Sequence, residues 1–335
     1  MEGVATPNFP FTDPSRSPGQ FGAQDCTLTW GAPVIRSILV PLDGSRFAEA
    51  ALPLAVRLTR AAHGQLRLLL AHETAPALLP AGGSGWDVPE NPGNREKAHT
   101  YLAQTADCLP AGGKAIEYEM VDGEVGPALA ERIMLTAPDL VVMATHGRGT
   151  IGRFWRGSVA DYLVRHVTTP IVLVRPDRPS RIGTSTGFRK ILVPLDLSES
   201  SDRILGPVKA VARITQAHLT LVHVVEPAFD LAIPSPPLVA PMDNGLTDRE
   251  CERAQRHLDQ IAARLRAEGF SVATRVVAGA GVAGRLLEKL RDGDFDLVAL
   301  TTHGRGGLPR TVLGSVATRL IKEGPQPVLV LRPEA

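Results

Sequence analysis

Cysteine is scarce in this chain, and what there is forms no pattern. Cys26, Cys108 and Cys251 are the only three in 335 residues. Their scatter gives neither metal-ligand spacing nor a disulfide framework, and a reducing, cytoplasmic setting is expected. Long apolar runs are also missing: none approaches the roughly 18 residues that span a bilayer, so no membrane partner is expected. Net charge is nearly nil, with 36 Lys+Arg against 35 Asp+Glu. That balance speaks against nucleic acid or a membrane surface as partner. The opening stretch MEGVATPNFPFTDPSRSPGQ has neither the basic start nor the apolar core of a secretory signal. Its Pro, Ser and Gly content reads as a disordered tail over residues 1–33. The P-loop pattern G-x4-G-K-[ST] is absent, as is any acidic cluster for magnesium. The histidines, His63, His72, His218 and His223 among them, form no metal-ligand pattern.

What the chain does contain is one long segment written twice. Residues 139–175 read DLVVMATHGRGTIGRFWRGSVADYLVRHVTTPIVLVR, and residues 296–332 read DLVALTTHGRGGLPRTVLGSVATRLIKEGPQPVLVLR. His146 and His303 stand 157 apart, as do Gly157 and Gly314. A period this long indicates duplicated domains rather than a solenoid. Each half opens on the same strand ending, Pro41-Leu42-Asp43 and Pro194-Leu195-Asp196, here 153 apart. The growth in offset places extra residues in the middle of the second half, where loops tolerate them.

Strands are expected at 38–43, 65–72, 115–121, 140–144 and 171–174, with counterparts at 191–196, 218–225, 271–277, 297–301 and 328–331. Helical patterns lie between them, and the strands are nearly continuous apolar runs, the mark of a parallel sheet covered on both faces. Two tandem, open, doubly wound α/β domains of five strands follow, at 34–176 and 189–335, joined by a polar linker at 177–188. Pro53 and Pro207 fall inside the first helical pattern of each half, which implies a kink or a late helix start. The Pro/Gly-rich loops 73–93 and 226–245 are long enough to suggest function or mobility.

The repeated segment has the chemistry of an anion-binding loop. Gly147 and Gly304 permit a sharp turn that offers backbone N–H groups. After nine intervening residues, Gly157-Ser158-Val159 and Gly314-Ser315-Val316 open a helix whose N-terminus suits a phosphate. Asp43 and Asp196, at strand-to-helix junctions, read as ligand contacts or as helix caps. Arg148 and Arg305 are candidates for phosphate contact or plain solvated loop residues. His146 and His303 have no nucleophile or carboxylate fixed beside them by spacing, so they are expected to shape the loop, and no catalytic residue is assigned. Trp86 and Trp155 read as packing or loop residues.

These residues resemble the universal stress protein family, whose ATP-binding members carry G-x2-G-x9-G-[ST]. The second and third glycines and the serine match in both halves, while Ala144 and Thr301 stand where the first glycine would be. The resemblance implies a Rossmann-like domain that binds ATP, or AMP or ADP, dimerises and takes part in stress responses. Magnesium would arrive with ATP, without protein ligands. Carried over by position, the nucleotide would meet Pro41, Leu42, Asp43, Val121, Gly123, Ala144 and residues 146–148 and 157–159 in the first half. In the second it would meet Pro194, Leu195, Asp196, Val277, Gly279, Thr301, residues 303–305 and 314–316. A Thr at position 301 suits an extended strand end and misfits a left-handed one. Gly44 against Leu197 in the Asp loop adds a further difference, and the first site is expected to be the more competent. The duplication suggests that the halves pair within the chain, imitating the family's homodimer, through their last strands, short apolar edges that invite pairing; two such chains are expected to pair again as a homodimer. A nucleotide-responsive stress module without enzymatic activity is the leading expectation. A slow nucleotide hydrolase or phosphotransferase and an interaction scaffold with lapsed sites are the alternatives.

Overall fold

A computed structural model describes residues 34–73, 92–110, 114–145, 158–176, 187–226, 244–302 and 313–333. The N-terminal stretch, most of both Pro/Gly-rich loops, most of the linker and the His-Gly-Arg loops lie outside the described residues.

The first half runs β1 (Ser37–Leu42), α1 (Arg46–Glu49), α2 (Leu52–Ala62), β2 (Gln65–His72), α3 (Pro92–Cys108), β3 (Glu117–Asp122), α4 (Val125–Thr136), β4 (Leu140–Ala144), α5 (Ser158–His166) and β5 (Ile171–Val174). The second half repeats the order as β6 (Lys190–Pro194), α6 (Glu199–Asp202), α7 (Leu205–Thr215), β7 (His218–Val225), α8 (Asn244–Ala267), β8 (Val272–Ala278), α9 (Val282–Asp292), β9 (Leu297–Thr301), α10 (Ser315–Glu323) and β10 (Val328–Leu331). The prolines mark a late start rather than a kink. Each first helical pattern divides into a single turn capped by Ser45 or Ser198 and a longer helix with Pro53 or Pro207 near its beginning. Proline fits there because the first turn needs no N–H partner.

All ten strands belong to one sheet in the order β3-β2-β1-β4-β5-β10-β9-β6-β7-β8. Within each half the strands are parallel. The halves meet where β5 and β10 pair antiparallel, with Leu173 opposite Val328, Val172 opposite Leu329 and Ile171 opposite Val330. This single reversal sends the carboxyl ends of β1–β5 and of β6–β10 to opposite edges of the sheet.

Helices cover both faces, and each face has one apolar core that crosses the seam. On one face, Leu54 and Leu58 of α2 join Val208 and Val211 of α7, Leu102 of α3 and Leu258 of α8. On the other, Leu129 of α4 and Leu163 of α5 join Leu286 of α9 and Leu320 of α10. Phe188, just before β6, is fully buried in the first of these cores. Its neighbour Gly187 sits between the halves at φ +123, where an added Cβ would lie 2.8 Å from Thr215 Cγ2 and 3.7 Å from Leu58 Cδ2. Side chains at that φ are strained whatever the space. Gly187→Ala is therefore expected to cost about 1–3 kcal/mol. Urea unfolding checks this, and because the cores are shared, both halves should lose structure in one transition.

Candidate functional site

In each half the strand order reverses beside the first strand: β2 lies on one side of β1 and β4 on the other, and β7 and β9 flank β6 likewise. The connections from these strands diverge to opposite faces, which leaves a crevice beyond their carboxyl ends. In the second half this crevice is a cavity of about 660 Å³, within the usual range for a small-molecule site.

Three pieces of backbone shape it. The first is the turn after β6. Asp196 Oδ1 accepts from Ser198 N–H at 3.0 Å and from Ser198 Oγ at 2.5 Å. Ser198 Oγ in turn accepts from Ser201 N–H at 3.1 Å. The serine is thus the helix cap, and Asp196 shapes the turn leading to it. The first half repeats this, with Ser45 N–H donating to Asp43 Oδ1 at 2.8 Å and Ala48 N–H to Ser45 Oγ at 3.2 Å. Between acid and serine, Gly44 and Leu197 adopt the same left-handed conformation, at φ 77 and φ 66. The turn demands that conformation, and Leu197 meets it at some strain.

The second piece is the end of the fourth strand. Ala144 and Thr301 are the last residues of β4 and β9, buried, and neither has a positive φ. The position that lacks the family's glycine is therefore extended, and threonine fits it without strain. The third piece is the start of α10. There the Gly314 N–H donates to the Thr302 carbonyl, next to the end of β9, at 2.8 Å. A Cβ on Gly314 would lie 3.1 Å from that same carbonyl. The first bond inside the helix comes from Thr318 N–H to Gly314 O, at 2.9 Å, and no side chain caps the end. The donors turned toward the cavity are therefore those of Ser315, Val316 and Ala317, rather than that of Gly314 itself.

Pro194, Leu195, Asp196, Thr301, Gly314, Ser315 and Val316 all line the cavity. Val277 and Gly279 lie farther out, at the end of β8, where Gly279 N–H bonds Val225 O at 2.9 Å. Gly279 has φ +155 and its counterpart Gly123, after Val121 on β3, has φ +133. In the first half Pro41, Leu42, Asp43 and Ala144 occupy the matching strand ends, and Ser158 and Val159 open α5. His146, Gly147, Arg148, Gly157, His303, Gly304 and Arg305 lie outside the described residues.

Reading the sequence alone missed the side of the cavity built by β7 and α8. His223, near the end of β7, is buried and donates from Nδ1 to Leu195 O at 2.7 Å, fastening the strand that precedes Asp196. Glu226 follows β7, and its Oε1 accepts from Gly281 N–H at 2.9 Å and Val282 N–H at 3.3 Å, which places a carboxylate at the N-terminus of α9. Glu250 and Arg253 of α8 complete this side. The only signal for them was position: β7 neighbours β6 at the reversal, so its end faces the same crevice. Charge is thereby divided, with carboxylates beside β6 and β7 and bare helical N–H groups across from them. Such a cavity suits a ligand with hydrogen-bonding groups at one end and negative charge at the other.

Residues 35–175 and again 187–332 match the universal stress protein family. The chain belongs to that family. A universal stress protein of Mycolicibacterium smegmatis is 29% identical over 308 residues, covering 88% of this chain and 97% of that protein. The universal stress protein Rv1996 of Mycobacterium tuberculosis is 27% identical over 318 residues, covering 88% and 94%. Among solved structures, a universal stress protein from Archaeoglobus fulgidus superposes with a TM-score of 0.62 at 18% identity, covering 88% of this chain and 97% of its own. That likeness supports the α/β fold in tandem.

The Asp196 turn gives a direct test of the site's scaffold. Asp196→Ala removes the acceptor for Ser198 and is expected to cost about 1–2 kcal/mol by urea unfolding. Asp196→Asn keeps the acceptor and should recover most of that loss.

Proposed function

We propose that this universal stress protein is a tandem binding module for ATP or a related adenine nucleotide, AMP or ADP, working through a stress-responsive change in assembly or partner. The observation that carries this reading is the second-half cavity. It sets the Asp196 turn and the polar end of β7 opposite the uncapped start of α10, at the point where strand order reverses. Ligands of open parallel sheets bind there, and the helix start favours phosphate. The G-x9-G-S spacing, present in both halves, is that of the family's ATP-binding members. With ATP, magnesium would be held by the phosphates.

The antiparallel β5–β10 join supports a second part of the reading, that the two halves stand to each other as the chains of a homodimer would. Two such chains pairing again would give the homodimer of chains, and the cytoplasm is the compartment that fits. The reading is of a binder rather than an enzyme, because the sequence has no P-loop lysine. A time course of ADP release by the wild type and the Gly157→Asp and Gly314→Asp variants tests that part. Turnover that vanishes in the variants would make the protein a nucleotide hydrolase.

Mass spectrometry of the denatured, freshly purified protein should find an adenine nucleotide. Gly314→Asp puts a carboxylate at the start of α10 and is expected to weaken ATP binding in the second half about tenfold or more, ~1.4 kcal/mol. Release of no adenine nucleotide, together with no calorimetric binding at millimolar ATP, would favour a scaffold with lapsed sites.

A further inference from the structure

The duplication has kept one half-buried contact in place while changing its chemistry. In the first half, Tyr101 Oη on α3 donates to Glu49 Oε1 on α1 at 2.9 Å. In the second, Asp202 on α6 holds the place of Glu49, since both close the single turn after the Asp loop. His257 on α8 holds the place of Tyr101: each is followed by a fully buried leucine, Leu102 or Leu258, and four residues later by a buried alanine, Ala106 or Ala262. His257 Nε2 lies 3.6 Å from Asp202 Oδ2, and the two side chains are only 32% and 28% exposed. That is ion-pair distance, too long for a hydrogen bond. Among the described residues, Asp202 Oδ1 and His257 Nε2 are both buried with no hydrogen-bond partner.

The pair is tied to the cavity from both sides. Asp202 follows Ser201, which lines the cavity and whose Oγ accepts from Asp196 N–H at 3.3 Å. His257 lies one helical turn beyond Arg253, which also lines the cavity. Whatever holds His257 to Asp202 therefore holds α8 against the Asp196 turn. Burial pushes the Asp202 carboxyl up, the His257 and Arg264 charges on α8 oppose that rise, and the charge of Asp196 adds to it. On α6 itself Glu199 is the other acid, and β9, packed against α6, brings no titratable side chain; β7 and β8, packed against α8, bring His218, His223 and Arg275.

An imidazole changes charge between pH 5 and 8, whereas a phenol does not. The attraction needs His257 charged and Asp202 ionised. It fades as pH rises and the imidazole loses its proton, and at the acid end as the carboxylate gains one. We propose that His257 and Asp202 form a positioning pair that makes the second nucleotide site pH-responsive, a response that the matching Tyr101–Glu49 contact cannot give the first; the first half's own imidazole–carboxylate pair, His72 with Asp122 at 3.7 Å, lies elsewhere, at the ends of β2 and β3. At slightly acid pH the pair draws α8 onto the Asp196 turn, and the extra positive charge favours an anionic ligand. At slightly alkaline pH both effects are lost. The inference rests on the nucleotide reading of the cavity and adds its regulation.

Calorimetry of ATP binding to the full chain at pH 6, 7 and 8 tests it. Gly157→Asp confines binding to the second half, and Gly314→Asp confines it to the first. Between pH 6 and 8 the Gly157→Asp chain should lose about fivefold more affinity than the same chain carrying His257→Tyr, the lower end of ordinary coupling between sites. The comparison removes the titration of ATP itself, which both chains share. Tyrosine is the first half's own residue and should keep binding, and His257→Gln serves if tyrosine unfolds the chain. Equal losses with and without the histidine would overturn the proposal. If neither half binds ATP at any pH, the nucleotide reading fails first, and hydrogen exchange then decides on the pair. Corrected for intrinsic rates, exchange around Arg253–His257 should rise from pH 6 to 8 in the wild type and stay level in His257→Tyr. Equal profiles in the two proteins would sink it.

Discussion

The antiparallel pairing of β5 with β10 is the contact on which the rest of this molecule depends. Both strands are short and apolar, and alone each would be an exposed edge inviting uncontrolled pairing. Joined, they turn two five-stranded sheets into one ten-stranded sheet and let each core run unbroken across the seam. The junction also brings α2 and α7 into one layer, with Gly187 held where any side chain would collide with Thr215. Its polarity has a functional consequence, because the strand ends that build ligand sites must then open at opposite edges of the sheet.

Within each half the geometry follows from a second constraint, the reversal of strand order beside β1 and β6. Connections that diverge there leave a crevice that neither set of helices can fill. The turn after the first strand keeps its backbone in both copies, even though Gly44 in one is Leu197 in the other at nearly the same φ. A left-handed leucine carries strain of about 1–2 kcal/mol, and the rest of the fold holds it in place. The strand end that lacks the family's glycine is extended, so Ala144 and Thr301 are both compatible with the architecture.

The two copies differ most where side chains support the site. Leu70 in β2 and His223 in β7 occupy the same place along their strands, and only the histidine fastens the neighbouring strand end. Glu49 with Tyr101 and Asp202 with His257 hold matching places, with a phenol donating to a carboxylate in one copy and an imidazole beside a carboxylate in the other. Shape has been retained where packing demands it, and charge has been free to diverge.

By itself the sequence determined the α/β class, the duplication and the backbone part of the site. Apolar runs, glycines at fixed spacing and the Pro-Leu-Asp strand endings are local signals, and local sterics and hydrogen bonding enforce them wherever the chain goes. Pro53 and Pro207 likewise announced a disturbance in the first helix, although only the folded chain shows it to be a capped turn followed by a fresh start. Tertiary structure alone decided that His223, Glu226, Glu250 and Arg253 share a cavity with Asp196 and Ser315. Those residues lie on separate elements, and the order of strands in the sheet, which no local pattern encodes, is what makes them neighbours. The same holds for Asp202 and His257: their pairing comes from the packing of α8 over α6, and no spacing in the sequence distinguishes that pair from any other acid and histidine.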